Sequence, residues 1–168
     1  VRKLFPNTFA SLSLFEAIDK KYAVPLEFWF YSDVFAGLKK AINTLPWFKG
    51  IAWCNTIVDC NKYKKIIQEQ IPSLKVFSSH SKNDKHNHEI MKFRDYQKSC
   101  ILVCVNKARE GWNDPKINCV AYLDEVENRA FNISIQTGNR ANRIYPGKDS
   151  AIVIDCVERD PLKVILDY

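Results

Sequence analysis

The sequence predicts an α/β fold in which helices cover both faces of a mainly parallel sheet. Short apolar runs such as "CILVCV" (100–105) and "AIVIDCV" (151–157) recur along the 168-residue chain. These runs are almost continuously apolar, which is typical of strands that are buried on both faces. Helix-like segments separate them in regular alternation, as in sheets whose parallel strands are joined by helical crossovers.

The N-terminal part of the chain is less regular than the rest. Residues 13–24 predict a short helix, and the aromatic run "LEFWFY" (26–31) predicts a strand or a buried connector. Residues 32–45 predict a longer helix with Ser32 or Asp33 as its N-cap, because such side chains accept hydrogen bonds from the first free N–H groups. The residues of its apolar face are Val34, Leu38, Ile42 and Leu45.

From residue 50 onward, predicted strands and helices alternate. Strands are predicted over 50–55, 73–79, 99–105, 117–124 and 150–157, and helices over 59–71, 88–97 and 128–143. In parallel sheets of this kind, ligands bind outside the carboxyl ends of the strands. We therefore expect functional residues in the loops after Cys54, Ser79, Val105 and Asp124.

The bulk composition fits one globular domain and a possible anionic partner. Apolar residues make up 46% of the chain and charged residues 26%, both ordinary values. A net charge of +6 is compatible with nucleic acid as a partner but does not require it. The sequence has neither a signal-peptide pattern nor an apolar run of membrane-spanning length, so no membrane partner is expected.

The six cysteines predict free thiols instead of disulfides or metal ligands. No two of them form a Cys-x-x-Cys pair, and most lie within β-branched apolar runs. Buried thiols behave as small hydrophobic side chains. This usage favours an intracellular, reducing compartment such as the cytoplasm, the nucleus or a viral factory.

Two fragments that suggest phosphate or metal chemistry are better explained without it. "RIYPGKDS" contains Gly147 and Lys148, but Asn142 stands where a P-loop needs glycine, and a strand follows instead of a helix. "HSKNDKHNH" (80–88) gathers three histidines, but no second ligand cluster is evident, so we predict a solvated loop and no metal site.

The stretch "NISIQTGNRANRIYPGK" (132–148) concentrates scarce arginines. The chain has 7 arginines against 18 lysines. Gln136, Arg140 and Arg143 are spaced four and then three apart, so in a helix they would share one face. A solvated surface explains this pattern, and so does a phosphate site, because guanidinium offers planar bidentate donors that lysine lacks.

The loop "AREGWNDPKI" (108–117) follows a predicted buried strand. It carries Gly111, and Asn113 and Asp114 are expected to project from the carboxyl edge of the sheet. It is either a tight crossover loop or a loop that senses nucleotide or nucleic acid.

Taken in order, these segments resemble the second, C-terminal RecA-like lobe of superfamily 2 helicases and translocases. "GIAWCNTIVDCNKY" (50–63) resembles motif IV, "VNKAREGWNDPKINCVAYLD" (105–124) resembles motif V, and "IQTGNRANR" (135–143) resembles motif VI. The resemblance implies a RecA-like three-layer sandwich. Within the superfamily, "EGWNDP" is similar to type III restriction motors, and "YLD" followed by "RANR" to type I motors.

The resemblance also implies roles for the matching residues. Arg140 and Arg143 would reach the γ-phosphate of ATP, with Gln136 beside the same nucleotide. The cofactor-binding residues it implies are Gly111, Asn113 and Asp114. ATP and Mg²⁺ would be held mainly by an N-terminal RecA-like lobe of the same protein, and this lobe alone is expected to be inactive.

The same resemblance implies a nucleic-acid track and a domain boundary. Asn55, Thr56 and Asn106 would contact the backbone of DNA or RNA, with DNA favoured; such contacts suit a motor that ignores sequence. Residues 1–31 would form an inter-lobe connector or N-terminal extension, and residues 32–168 the lobe itself.

Three positions depart from the family pattern and keep alternatives open. Asn139 stands at the usual motif VI glycine with Gly138 displaced by one, Asn113 replaces the usual motif V aspartate, and Val105 replaces a common threonine. A non-catalytic nucleic-acid-binding or assembly module derived from such a lobe is therefore the second hypothesis. An unrelated Rossmann-like enzyme is disfavoured, because no glycine-rich turn follows the first apolar strand.

Overall fold

A computed structural model of the chain describes residues 14–105, 113–124 and 137–157. These residues form a sheet of six strands, all parallel, in the order β1-β6-β5-β2-β4-β3. The strands are β1 (Leu26–Phe30), β2 (Lys49–Trp53), β3 (Lys75–Ser79), β4 (Cys100–Cys104), β5 (Cys119–Tyr122) and β6 (Ala151–Asp155). The five predicted strands and the parallel α/β class are confirmed.

Helices cover both faces of this sheet. They are α1 (Leu14–Asp19), α2 (Val34–Thr44), α3 (Ile57–Gln70) and α4 (His88–Asp95). Alternate side chains of each strand point to opposite faces, so two separate cores form. The first core contains Leu38 of α2 and Ile67 of α3, and the second contains Phe93 of α4 together with Ala141. The arrangement is the predicted three-layer sandwich.

Helix α2 begins and packs as its sequence predicts. The side chain of Asp33 accepts a hydrogen bond from the backbone N–H of Phe35 at 2.9 Å, so Asp33 is the N-cap. A Cβ placed on Gly37 would lie 3.0 Å from side-chain atoms of both Tyr31 and Ile154. Glycine at this position therefore lets the helix lie close against β6.

The aromatic run near the N-terminus is a strand. Residues of β1 pair with β6 in parallel register, from Leu26 opposite Ala151 to Phe30 opposite Asp155. The segment that was predicted as either a strand or a connector thus extends the sheet. The division of the chain at residue 31 stays a prediction.

The helix predicted over 128–143 does not reach Arg143. Thr137 and Gly138 are helical, but residues 139–143 form turns and a bend. The backbone N–H groups of Arg140 and Ala141 donate three residues back, to the carbonyls of Thr137 and Gly138, and the carbonyl of Asn142 accepts from Val24 at 2.7 Å. Arg140 and Arg143 therefore lie beyond the helix, on turns. Gln136 lies outside the described residues.

Candidate functional site

The predicted site residues lie at two opposite edges of the sheet. The strands end at the carboxyl edge of the sheet. Asn55 and Thr56 lie at this edge, because they come shortly after the end of β2. Asn113 and Asp114 precede β5 and lie at the amino edge, where the strands begin. The prediction that they project from the carboxyl edge was wrong, because they lie just before the parallel strand β5 begins, at the edge where Lys49 opens β2.

A buried ion pair fixes Asp114 at this amino edge. Its Oδ2 lies 2.9 Å from Nζ of Lys49, the first residue of β2, and each side chain is only 4% exposed. The Lys49 ammonium also donates to the carbonyl of Arg94 at 2.7 Å, and Asp114 Oδ1 accepts from the backbone N–H of Lys116 at 3.1 Å. Asp114 thus holds its own loop in place and faces inward.

A neighbouring asparagine strengthens the same anchor. The side-chain oxygen of Asn118 accepts from the backbone N–H of Lys49 at 3.0 Å, and its amide donates to the carbonyl of Trp47 at 2.6 Å. Asn118 is buried, with 1% of its surface exposed. The segment before β5 is therefore joined to the start of β2 by both a charge pair and an amide bridge.

Asn113 and Arg143 are in direct contact. The Arg143 guanidinium donates a hydrogen bond to the side-chain oxygen of Asn113, although 30 residues separate them in the sequence. Asn113 is exposed and Arg143 is half-buried. The structure thus brings together one residue from the motif V-like loop and one from the motif VI-like segment, with polar groups that reach solvent.

Lys148 lies behind this pair. Its Nζ donates to three backbone carbonyls, those of Pro115 at 3.0 Å, Ile117 at 2.6 Å and Arg143 at 2.7 Å. Burial lowers the pKa of Lys148 to about 8, with Asp114 opposing that shift. The lysine that resembled part of a P-loop is therefore a buried structural cation.

Arg140 is half-buried. On one side, the Thr137 hydroxyl lies 2.6 Å from the hydroxyl of Tyr122, the last residue of β5. On the other side, Ala141 is buried in the second core. Contacts on either side therefore fix the backbone around Arg140 without a continuous helix.

The carboxyl-edge residues Asn55 and Thr56 are both exposed. Thr56 is the N-cap of α3: its Oγ1 accepts from the backbone N–H of Asp59 at 3.1 Å and donates to the Asp59 carboxylate at 2.6 Å. Asn55 precedes this cap. Thr56 therefore has a structural role that accounts for its position.

The histidine-rich loop was only partly predicted. His86 and His88 are exposed, as expected for a solvated loop, but His80 and Asp84 are buried. Asp84 accepts hydrogen bonds from the Ser79 hydroxyl at 2.7 Å and from the first N–H groups of α4. Within the described residues, no three His, Cys, Asp or Glu side chains group closely enough to hold a metal ion.

All six cysteines are free thiols, as predicted, and only Cys156 is not fully buried. Burial raises the pKa of the Cys100 thiol to about 12. The Cys100 thiol is therefore a packing group.

Sequence reasoning missed three buried polar residues: Lys49, Asn118 and Lys148. Lys49 opens β2, Asn118 directly precedes β5, and Lys148 lies three residues before β6, where charged and amide side chains are ordinarily solvated. Apart from the carbonyl of Arg143, five residues before Lys148, their side-chain partners lie 31 or more residues away in the chain, so local patterns carry little signal for them. Gly111 and Asn106 lie outside the described residues.

Residues 33–145 match the family described as the helicase conserved C-terminal domain. The chain belongs to this family. The resemblance to the C-terminal RecA-like lobe of superfamily 2 helicases is thereby confirmed. Comparison with curated protein sequences gave no match.

Solved structures show the same fold. The lobe is similar to the ATP-dependent type ISP restriction-modification enzyme LlaBIII bound to DNA, with a TM-score of 0.73 and 14% identity over 91% of this chain and 13% of that one. It is also similar to a fragment of a putative HsdR subunit of a type I restriction enzyme from Vibrio vulnificus YJ016, with a TM-score of 0.68 and 17% identity over 92% and 36%.

A third similar structure is domain 2 of the DEAD-box helicase Mss116p bound to an RNA duplex, with a TM-score of 0.60 and 19% identity over 86% of this chain and 57% of that one. The helicase lobe thus spans only part of each of these proteins. None of the helices in the described parts of the chain has the length and apolar character needed to cross a membrane.

Proposed function

We propose that this helicase lobe is the C-terminal motor half of an ATP-dependent helicase or translocase. Residues 1–31 would connect the lobes and residues 32–168 would form this one. The contact between Arg143 and Asn113 carries the proposal, because it joins the motif V-like and motif VI-like segments at one solvent-reaching point. An N-terminal lobe would hold ATP and Mg²⁺ opposite this point.

Arginine chemistry supports this role. Phosphoryl transfer spreads negative charge over the γ-phosphate, and an arginine supplied from outside the nucleotide's own lobe offsets that charge. We assign this function to Arg143 and Arg140, with Gln136 and Gly111 beside the nucleotide as the resemblance implies. ATP supplies the transferred phosphoryl group, and the part of this lobe is to orient guanidinium groups toward it.

Between the two candidates for a nucleotide contact, we favour Asn113. Its side chain is exposed and already touches Arg143. The Asp114 carboxylate is buried and paired with Lys49. An amide in place of a carboxylate at position 113 also avoids placing negative charge next to a triphosphate.

Nucleic acid would bind at the opposite, carboxyl edge. Asn55 offers an exposed amide there, beside the N-terminus of α3, whose free N–H groups favour phosphate oxygens. Thr56 and Asn106 would add backbone contacts, and DNA is the favoured polymer. A sheet with ATP at one edge and nucleic acid at the other could transmit lobe movement between them.

The decisive test uses the full-length protein that carries this lobe. Replacing Arg143→Ala should reduce nucleic-acid-stimulated ATP hydrolysis by about 10³-fold or more, while ATP binding largely survives. Arg94→Ala is the matched control, because the Arg94 side chain is 41% exposed and pairs with its neighbour Asp95. Turnover near wild type in the Arg143→Ala protein would show that Arg143 is not an arginine finger.

The second candidate is a non-catalytic nucleic-acid-binding or assembly module. The observation that favours it is Asn113, an amide where the family pattern has an aspartate. This alternative predicts salt-sensitive nucleic-acid binding with no ATP hydrolysis by the full-length protein. Any nucleic-acid-stimulated ATP hydrolysis that depends on Arg143 would eliminate it.

A further inference from the structure

We propose that Lys148 is a positioning residue that sets the placement of Arg143 against Asn113, and so acts on catalysis through Arg143. The inference rests on the proposed role of Arg143. It assigns a function to Lys148 in the "YPGK" segment, which does not match a P-loop.

The ammonium of Lys148 bonds to two segments of the chain at once. Nζ of Lys148 donates to the carbonyls of Pro115 and Ile117, which lie in the loop that carries Asn113. It also donates to the carbonyl of Arg143 itself, at 2.7 Å. The same ammonium therefore fixes the backbone of both partners in the Arg143–Asn113 contact.

The number of donors matches the number of acceptors. A lysine ammonium has three N–H groups and no acceptor, and here three carbonyl oxygens lie 2.6 to 3.0 Å from Nζ. Only 6% of the Lys148 surface is exposed. Hydrogen bonds to a buried charge are among the stronger ones, so this link resists small displacements.

A tight turn directs Lys148 back toward the site. The backbone N–H of Lys148 donates to the carbonyl of Tyr145 at 3.0 Å, closing a four-residue turn with Pro146 and Gly147 at its centre. Gly147 has φ 78°, which glycine adopts without strain, and proline followed by glycine is the type II turn sequence. The turn therefore begins two residues after Arg143 and returns the chain to it.

Other anchors of the loop do not reach Arg143. Lys49 holds Asp114, and Asn118 holds Lys49 and Trp47, so both tie the loop to β2. Within the described parts of the chain, the Lys148 side chain bonds both to the loop and to the backbone of Arg143. Loss of the Lys148 ammonium should thus change the position of Arg143 relative to the loop that carries Asn113. It should change the attachment of the loop to the sheet less.

The experiment compares four forms of the full-length protein: wild type, Lys148→Met, Arg143→Ala and the double variant. Methionine keeps the unbranched stem and removes the ammonium. We expect Lys148→Met to lower kcat for nucleic-acid-stimulated ATP hydrolysis by about 10²-fold, because a displacement near 1 Å has that effect on a positioned group. The KM for ATP should change little.

A stability control separates positioning from general destabilisation. Ile67→Ala removes a fully buried side chain from α3 on the other face of the sheet, and should lower the melting temperature without lowering kcat per folded molecule. If Lys148→Met does not fold, Lys148→Gln keeps two of the N–H donors and should show a smaller loss of kcat in the same direction.

The double variant shows whether Lys148 acts through Arg143 or independently of it. If Lys148 acts through Arg143, adding Lys148→Met to Arg143→Ala should change kcat by less than about 2-fold, since interacting residues are non-additive. Full activity in a folded Lys148→Met or Lys148→Gln protein, or independent losses in the double variant, would overturn the inference while leaving the arginine finger intact. Full activity in Arg143→Ala would overturn both the finger role of Arg143 and the positioning role of Lys148, because Lys148 acts only through Arg143.

Discussion

The two edges of the sheet in this helicase lobe are built in different ways. At the amino edge, hydrogen bonds join residues that are far apart in the chain: Lys49 and Asn118 are 69 residues apart, and Lys148 and Pro115 are 33 apart. At the carboxyl edge, the side-chain hydrogen bonds of the candidate residue Thr56 are local and go to Asp59, three residues on. The candidate residues of the amino edge are thus held by tertiary contacts, and Thr56 is held by a local helix cap.

This difference matches the work proposed for each edge. An arginine that stabilises a transition state must be held to within a fraction of an ångström, which suits buried ions and bridging amides. A contact with the phosphodiester backbone tolerates more freedom, because the groups that make it are exposed and the polymer is itself flexible. The comparison can be tested by stability as well as by activity.

The largest effect on stability is expected at the amino edge. Lys49→Met should lower the free energy of unfolding by about 3–5 kcal/mol, because it leaves the Asp114 carboxylate buried without its cation. Denaturant titration of the full-length protein would measure the loss. The double variant Lys49→Met/Asp114→Leu should recover much of it, since both charges are then removed. No recovery would mean that the ion pair is not the reason for the loss.

A smaller effect is expected at the carboxyl edge. Thr56→Ala should lower the free energy of unfolding by about 1 kcal/mol, the usual effect of losing an N-cap hydrogen bond. Thr56→Ser is the matched control, because it keeps the hydroxyl and should stay close to wild type. A loss as large as that of Lys49→Met would remove the distinction between the two edges.

The smallest effect on stability is expected for Asn55. Its side chain is exposed, so Asn55→Ala should change the free energy of unfolding by less than about 0.5 kcal/mol. Affinity for nucleic acid should nevertheless fall several-fold, and by a similar factor for different sequences, as expected of a backbone contact. Asn61→Ala on α3 is an exposed asparagine control. Equal affinities for the two variants would exclude Asn55 from the nucleic-acid track.

Most secondary structure was predictable because its signals are local. Apolar runs identified β2, β4, β5 and β6, the alternation of strands with helices identified β3, and Asp33 was predicted as a candidate cap from its place before an apolar face. The prediction was wrong for the end of the helix, because the chain changes to turns after Gly138, where Arg140 and Ala141 bond three residues back. The spacing of Gln136, Arg140 and Arg143 carries no signal for that change.

The sequence by itself determined which residues could act and which family pattern they follow. The apolar strands predicted the α/β fold, and the motifs in their order carried the resemblance to the helicase lobe. Only the tertiary structure decided where those residues stand. It placed Asp114 against Lys49, Arg143 against Asn113 and Lys148 behind them both. The reason is physical: buried charges must find partners, and in a parallel sheet those partners come from strands and loops that are distant in the chain.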